Sequence, residues 1–155
     1  VTITIDSLKN FVSDSSFESG DIWKNTKWIL EDTKSSLQIE KNKANVHSEN
    51  NSISYWKDSN FNFKIYQKID GLENGTYKLS VWSMGEKGKK SLYLYSNNGS
   101  LENKTSVIDS GWSKWNKFEI NNINVVNGSL EIGIYGNCMS GDWGKIDSFE
   151  LIRIK

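Results

Sequence analysis

Residues 55–69 read YWKDSNFNFKIYQKI and alternate between apolar and polar side chains along most of this length. Successive side chains leave a β-strand on opposite sides, so a period of two indicates a strand with one buried face. The apolar parity is occupied by Phe61, Phe63, Ile65 and Ile69. Trp56 stands just before this run, in a shorter strand where Ile53 and Tyr55 have the inward parity. Trp56 is therefore predicted to face solvent.

Similar short strands recur along the chain, with almost no helix between them. The dipeptides Asn74-Gly75, Asn98-Gly99 and Asn127-Gly128 separate several of them, and such dipeptides tolerate the positive φ of tight turns. Residues 41–51 are too polar for a core strand and are interpreted as a loop. The predicted strands are 2–5, 28–30, 37–40, 52–56, 61–69, 76–83, 91–95, 115–120, 129–135 and 147–154. This pattern predicts an all-β fold, a two-sheet antiparallel β-sandwich that spans residues 1–155 as one domain.

The composition excludes several classes of function. Nineteen basic residues balance nineteen acidic ones, so no net field attracts nucleic acid or an anionic membrane. The single cysteine, Cys138, and the single histidine, His47, exclude intrachain disulfides, zinc clusters built from Cys and His, and histidine-based catalytic triads. Cys138 is expected to be a small, semi-buried residue of a loop.

The side chains that are predicted to face outward from the strands are unusually often aromatic. The aromatic residues among them are Trp56, Trp82, Tyr93, Tyr95, Trp115 and Tyr135. Exposed rings interleaved with Asn, Lys, Glu and Ser indicate a binding face, although a partly buried Trp in a structural role is the simpler explanation for any one ring. Sugars match such a face because their C–H groups form apolar patches and their hydroxyls need hydrogen-bond partners. A neutral polysaccharide also suits a neutral chain.

Four motifs resemble a known group of proteins. The chain opens with NFVSDSSFESGDIW, continues with YQKIDGLENGTYKLSVW and WNKFEINNINVVNGSLEIGIYG, and closes with WGKIDSFELIRI. In this order they resemble the jelly-roll carbohydrate-binding modules of bacterial plant-polysaccharide hydrolases, over residues 10–155. The second half is most similar to family 61 modules, which accompany endo-β-1,4-galactanases and bind β-1,4-galactan.

The resemblance implies a structural calcium ion bound by Glu18 and Asp147, which would join the first and last strands. Carboxylate oxygens are the ligands that calcium prefers. The chain departs from the family pattern at Asp14-Ser15, where Asn-Gly is usual, and at Ser148, where a second acid is usual. The alternative is an ordinary carboxylate that caps a turn through hydrogen bonds.

The outward orientation of strand side chains predicts the stacking residues, and proximity to loop ends predicts the rim residues. Trp56 and Trp82 are predicted to stack on sugar rings, with Trp143 as a third platform and Tyr93 between them. For Trp143, packing beneath the calcium site is the alternative. The side chains predicted to bind sugar hydroxyls at the rim are Glu86, Asn137 and Asp142.

We therefore expect a monomeric, non-catalytic module that binds β-galactan, with no nucleic-acid or membrane partner. It is expected to come from a longer, secreted bacterial chain and to target an attached glycoside hydrolase to its substrate. The alternatives are a module of the same fold for another neutral glycan, a protein-adhesion module and a small glycoside hydrolase. A hydrolase would need two carboxylates across a cleft, and the candidates are Glu86, Glu119, Glu131 and Asp142.

Overall fold

The computed structural model describes residues 9–21, 24 and 26–155. The predicted strand 2–5 lies outside these residues. The strands are β1 (Ile29–Glu31), β2 (Leu37–Glu40), β3 (Ser52–Trp56), β4 (Phe61–Ile69), β5 (Gly75–Gly85), β6 (Ser91–Asn97), β7 (Glu102–Ser106), β8 (Gly111–Val125), β9 (Leu130–Cys138) and β10 (Trp143–Arg153).

The strands form two five-stranded antiparallel sheets. The first sheet has the order β1-β4-β9-β6-β7, and the second sheet has the order β2-β3-β10-β5-β8. The inward side chains of both sheets form one hydrophobic core. The predicted β-sandwich is therefore confirmed. No helix within the described residues is long and apolar enough to span a membrane.

The alternation in β4 correctly predicted its buried face. Phe61, Phe63 and Ile65 are buried, whereas Ile69 at the strand end is only partly buried. Gln67 shares their parity and is also buried. Its side chain accepts a hydrogen bond from the Ser13 backbone N–H and donates one to the Ser13 carbonyl. A polar residue is tolerated there because both ends of its amide are satisfied.

The strand predictions were wrong at β7 and β8 and at two other strand ends, since β9 extends to Cys138 rather than residue 135 and β10 begins at Trp143 rather than residue 147. β7 was missed because its sequence, ENKTS, is polar throughout, and among the strands named above it pairs only with β6, at a sheet edge. β8 begins at Gly111 rather than at residue 115. Its register with β5 shifts at two points, and Ser113 and Asn122 adopt positive φ. Such irregularities interrupt the period-two pattern from which strands are predicted.

The N-terminal motif packs against the last strand. The side chain of Asn10 donates to the Phe149 carbonyl and accepts from the Leu151 N–H. Phe17 and Trp28 pack around Phe149, with ring centroids 4.9–6.2 Å apart. The opening and closing motifs of the sequence therefore form one structural unit.

Five of the loops between strands lie together at one end of the sandwich. They do so because successive strands run in opposite directions. We call this end of the sandwich the loop end. It consists of residues 32–36, 57–60, 86–90, 107–110 and 139–142. The loop 41–51 was predicted correctly and contains a single 3-10 turn, Lys43–Asn45.

Candidate carbohydrate-binding site

The outer face of the second sheet carries most of the tryptophans. Trp28 is in the core, and Trp23 lies outside the described residues. The remaining five of the seven are Trp56, Trp82, Trp112, Trp115 and Trp143. We call this surface the tryptophan face.

Trp56 and Trp143 are cross-strand neighbours at the loop end. They are register partners on β3 and β10, and the next pair along is Tyr55 with Gly144. A side chain on Gly144 would overlap the buried Tyr55 ring, so this pair faces the core and the two tryptophans face outward. Trp56 is 52% exposed. The sequence therefore predicted its orientation correctly.

Glu86 adjoins this pair. Gly144 also pairs with Gly85, the last residue of β5, so Glu86 follows at the same end of the sheet as Trp143. The row Trp56, Trp143 and Glu86 thus combines two indoles with one carboxylate. The structure brings these three predicted residues together.

Trp82 lies apart from this row. It pairs with Asp147, four residues along β10 from Trp143, or about 13 Å away at the rise of a strand. The ring of His47 stacks on it, with centroids 4.2 Å apart and planes 19° apart. One face of the indole is therefore already occupied by the loop 41–51. Trp82 lines a separate polar cavity of about 270 Å³ with His47 and Lys117.

Trp112 was not predicted as a binding residue, although it is 60% exposed. Its indole N–H donates to the side-chain oxygen of Asn45 over 2.9 Å, which orients the ring beside the loop 41–51. The predicted strand began at residue 115, so no parity was assigned to position 112. The sequence feature that could have identified Trp112 as a binding residue is its position in the aromatic run GWSKW.

Asp142 was predicted to bind sugar hydroxyls at the rim of the site, but its side chain has another role in the structure. It is buried, and its two carboxylate oxygens accept from the backbone N–H groups of Lys89 and Met139. It therefore joins two loops of the loop end. Gly88 must lack a side chain because a Cβ there would meet this carboxylate.

Tyr93 and Asn137 lie on the opposite side of the molecule. Both belong to the first sheet, where Tyr93 pairs with Tyr135 and Asn137 pairs with Asn62 and Ser91. They cannot share a ligand subsite with the Trp56 row because the two outer faces point in opposite directions.

A buried ion pair supports the tryptophan row. Lys90 Nζ lies 2.8 Å from Asp109 Oδ2, and both side chains are almost completely buried. Lys90 also donates to the Tyr55 hydroxyl over 2.6 Å and to the Trp143 carbonyl over 3.1 Å. Ser83 Oγ donates to the second oxygen of Asp109. Burial, with Asp109 adding to the effect, raises the pKa of Tyr55 well above its usual value, so its hydroxyl stays protonated.

The carboxylates considered for hydrolysis do not form one constellation. Glu119 lies on the second sheet beside Lys78 and Lys117, and Glu131 lies on the first sheet beside Lys64. Asp142 is committed to the two backbone donors of the loop end. Glu86 is the remaining candidate.

Cys138 is buried at the end of β9 rather than in a loop. Burial raises the pKa of its thiol to about 12, so the nucleophilic thiolate is not formed at neutral pH. Its role is that of a small core residue.

Glu18 and Asp147 both hold the loop 41–51. Oδ2 of Asp147 accepts from the backbone N–H groups of His47 and Ser48, and Oε1 of Glu18 accepts from those of Asn50 and Asn51. Asp147 is completely buried. Burial is the main cause that raises the pKa of Asp147 to about 7, and nearby Glu18 contributes to the rise, whereas the hydrogen bonds from backbone N–H groups oppose it.

The chemistry of these two residues fits a calcium ion. Both supply the hard oxygens that calcium prefers, and Oε2 of Glu18 accepts no hydrogen bond from the described residues. Within the described ranges, no group of three or more His, Cys, Asp or Glu side chains is arranged to hold a metal. Calcium takes six to eight oxygens, so backbone carbonyls or water would have to supply the remaining ligands.

Comparison with solved structures identifies the family. The chain is 30% identical to TmCBM61, whose structure was determined in complex with β-1,4-galactotriose. The match covers 94% of this chain and 99% of TmCBM61, with a TM-score of 0.85. The chain belongs to carbohydrate-binding module family 61. No family sequence model and no curated protein sequence matches the chain.

More distant structures share the fold of this family 61 module. The xylan-binding CBM22-1 domain of Paenibacillus barcinonensis Xyn10C is 12% identical over 98% of this chain and 99% of its own, with a TM-score of 0.61. The enzymatically active domain of bacteriophage CBA120 tailspike protein 4 is 13% identical, with a TM-score of 0.73, but only 21% of that chain is covered. At these identities the likeness supports the jelly-roll fold alone.

The buried ion pair leads to a prediction about stability. Lys90→Met leaves the Asp109 carboxylate buried without its cation, so we expect the free energy of unfolding to fall by about 3–5 kcal/mol, measured by urea denaturation. Lys89→Met removes an exposed neighbouring lysine and should change stability by less than about 0.5 kcal/mol. Equal effects of the two substitutions would contradict the assigned role of the pair.

Proposed function

We propose that this module binds β-1,4-galactan or galacto-oligosaccharides through the tryptophan face without cleaving them. The observation that carries the proposal is the near full-length similarity to TmCBM61, a protein solved with β-1,4-galactotriose. The outward row of Trp56, Trp143 and Glu86 supplies the chemistry. An indole offers a flat apolar surface, and a carboxylate accepts hydrogen bonds from sugar hydroxyls.

Galactose suits this arrangement because its axial hydroxyl leaves one face of the ring rich in C–H groups. That face can lie against an indole while the hydroxyls at the ring edge reach polar side chains. Lys145 follows Trp143 on the same face and donates to Ser54 over 2.8 Å, so a lysine and a hydroxyl adjoin the row. Trp112 stands three strand spacings from Trp56, about 14 Å across the sheet. A bound chain that crosses the strands would extend from one ring towards the other.

The biological role that follows is targeting. Family 61 modules are expected to hold an attached galactan hydrolase near its substrate, in a secreted bacterial protein. The module itself is proposed to act as a monomer. Affinity should be modest, on the order of micromolar to millimolar, because a short sugar offers few contacts and its hydroxyls are costly to desolvate.

Gel retardation tests the choice of glycan. The module should migrate more slowly in native gels that contain β-1,4-galactan than in gels that contain xylan, hydroxyethylcellulose or arabinan. Incubation with galactan should release no new reducing ends. Equal migration in all gels would refute galactan recognition, and new reducing ends would show that the module is an enzyme.

Substitution of the outward tryptophans tests the face itself. Trp56→Ala and Trp143→Ala should each weaken binding to galacto-oligosaccharides by about 1–3 kcal/mol, the range observed when a stacking ring is removed in nucleic-acid complexes, as measured by calorimetric titration. The melting temperature of Trp56→Ala should stay close to that of the wild type because half of this side chain is already exposed.

Leu101→Ala is the matched control for Trp56→Ala. Leu101 is also a large exposed apolar residue, at 57%, but it lies in the β6–β7 connection at the opposite end of the sandwich. Its substitution should leave binding unchanged. If Trp56→Ala destabilises the fold and leaves binding intact, the tryptophan belongs to the structure rather than to the site.

We also propose that Glu18 and Asp147 bind a structural calcium ion. The support is a completely buried carboxylate with a second carboxylate nearby, neither of which forms a salt bridge with a cationic side chain of the described residues. Bound calcium would offset the charge of these groups and hold the loop 41–51 against the last strand. The ion would therefore act on stability and would make no contact with the sugar.

Removal of calcium should lower the melting temperature, since a ligand that binds only the native state stabilises it by mass action. Glu18→Gln keeps an oxygen that can accept from Asn50 and Asn51 but removes the charge, so its melting temperature should no longer respond to a chelator. Glu49→Gln changes an exposed acid of the same loop and should retain the response. A wild-type melting temperature that is unaffected by complete metal removal would show that the two acids act only as hydrogen-bond acceptors.

A further inference from the structure

The outer face of the first sheet contains a second concave surface. A cavity of about 540 Å³ lies over β1, β4 and β9. Its volume is within the range of small-molecule binding sites. We call it the asparagine–tyrosine groove, and the side chains that define it are Glu31, Thr33, Asn62, Lys64, Tyr135 and Asn137.

Two asparagines at the centre of the groove are register partners on adjacent strands. Asn62 on β4 pairs with Asn137 on β9, and both are exposed. No hydrogen bond to either side-chain amide is formed by the described residues. Asparagine is disfavoured in strands, so a pair in register has an unfavourable effect on the sheet. Each amide offers two N–H donors and one acceptor, which together suit a ligand rich in hydroxyls.

An aromatic ledge adjoins these amides. The Tyr135 ring lies 5.4 Å from that of Tyr93 and 5.5 Å from that of Tyr95, measured between centroids. Tyr95 is buried and donates its hydroxyl to Glu131, whereas Tyr135 and Tyr93 are partly exposed. The groove therefore combines an aromatic ring that packs on two other tyrosines with two side-chain amides available for hydrogen bonding.

The charges of the groove favour a neutral ligand over an anionic one. Lys64 is the cation of the groove, and its ammonium lies 3.6 Å from Glu131. It also lies 4.6 Å from the centre of the Tyr66 ring and 5.1 Å from that of Tyr95. Glu31 and Glu102 also line the cavity and add two negative charges. A phosphate or carboxylate would meet a lysine already engaged by Glu131 and two carboxylates.

The groove and the tryptophan face lie on opposite sides of the sandwich. Two packed sheets are about 10 Å apart, and their outward side chains extend further from each other. A short oligosaccharide cannot contact both surfaces at once. Two chains, or two distant segments of one chain, could be held by one module.

We propose that the asparagine–tyrosine groove is a second binding site for a neutral polysaccharide, so that one module holds two galactan segments. This rests on the proposed function of the tryptophan face. The groove would supply the hydrogen bonds of Asn62 and Asn137 and a stacking contact at Tyr135. With two binding sites, the module can cross-link two galactan chains as well as bind to one.

The test is an NMR titration of the isotopically labelled module with β-1,4-galactotetraose. The side-chain amides of Asn62 and Asn137 should shift, as should the indole N–H groups of Trp56 and Trp143. In the double variant Trp56→Ala/Trp143→Ala, the groove signals should still shift. In Asn62→Ala/Asn137→Ala, the indole signals should still shift while those of the Tyr135 backbone should not. Lys68→Ala, at the far end of the same strand face as Asn62, should leave both sets of shifts intact.

Turbidity of long-chain galactan provides a second readout. The wild-type module should increase it, and each double variant should not, because cross-linking requires both surfaces. Lys68 lies outside the groove, so Lys68→Ala should retain cross-linking. The shifts that persist at the unaltered surface of each double variant show that the variant is folded. Groove signals that never shift, while the indoles do, would overturn the second site and leave the proposed function standing. Shifts confined to the groove would overturn the two-site inference and the tryptophan face together, and no shifts at all would overturn the choice of glycan.

Discussion

The loop end depends on the buried contact between Lys90 and Asp109. A buried lysine is tolerated only when its ammonium is paired and hydrogen-bonded, and here it contacts a carboxylate, the Tyr55 hydroxyl and the Trp143 carbonyl. These groups come from two loops and two strands that are far apart in sequence. The same lysine therefore connects the ends of β3 and β10, which carry Trp56 and Trp143. The geometry of the tryptophan row rests on a contact that faces the core.

Alternation alone predicted most of the fold. A period of two identifies which side of a strand is buried, and this correctly oriented Trp56 as well as the core residues of β4 and β5. It does not determine which strands are neighbours. Trp56 and Trp143 are separated by most of the chain, and their pairing depends on sheet order. For the same reason the sequence could not show that Tyr93 and Asn137 lie on the opposite face from Trp56.

The remaining differences between prediction and structure arise from loop packing, irregular backbone and backbone hydrogen bonds. The side chain of Trp82 faces outward as predicted. However, the loop 41–51 folds back over the sheet, and its His47 covers one face of the indole ring. Long-range loop packing of this kind leaves no periodic signal. Trp112 was missed because irregular backbone near Ser113 breaks the alternation. Asp142 was predicted at a rim because it follows a strand, yet its oxygens accept from two backbone N–H groups, a role that sequence does not distinguish from ligand binding.

A β-sandwich buries one face of each sheet, so its two outer faces are constrained far less by stability than its core. In this module the outer faces differ in chemistry. One has indoles beside a lysine and a carboxylate, and the other has paired amides beside tyrosines. Among the described residues both faces mix lysine and carboxylate side chains, and the chain as a whole is neutral. An exposed aromatic patch leaves apolar surface in water, and asparagine is disfavoured in strands. The concentration of these groups on the outer faces is therefore better explained by recognition of hydroxyl-rich ligands than by the requirements of the fold.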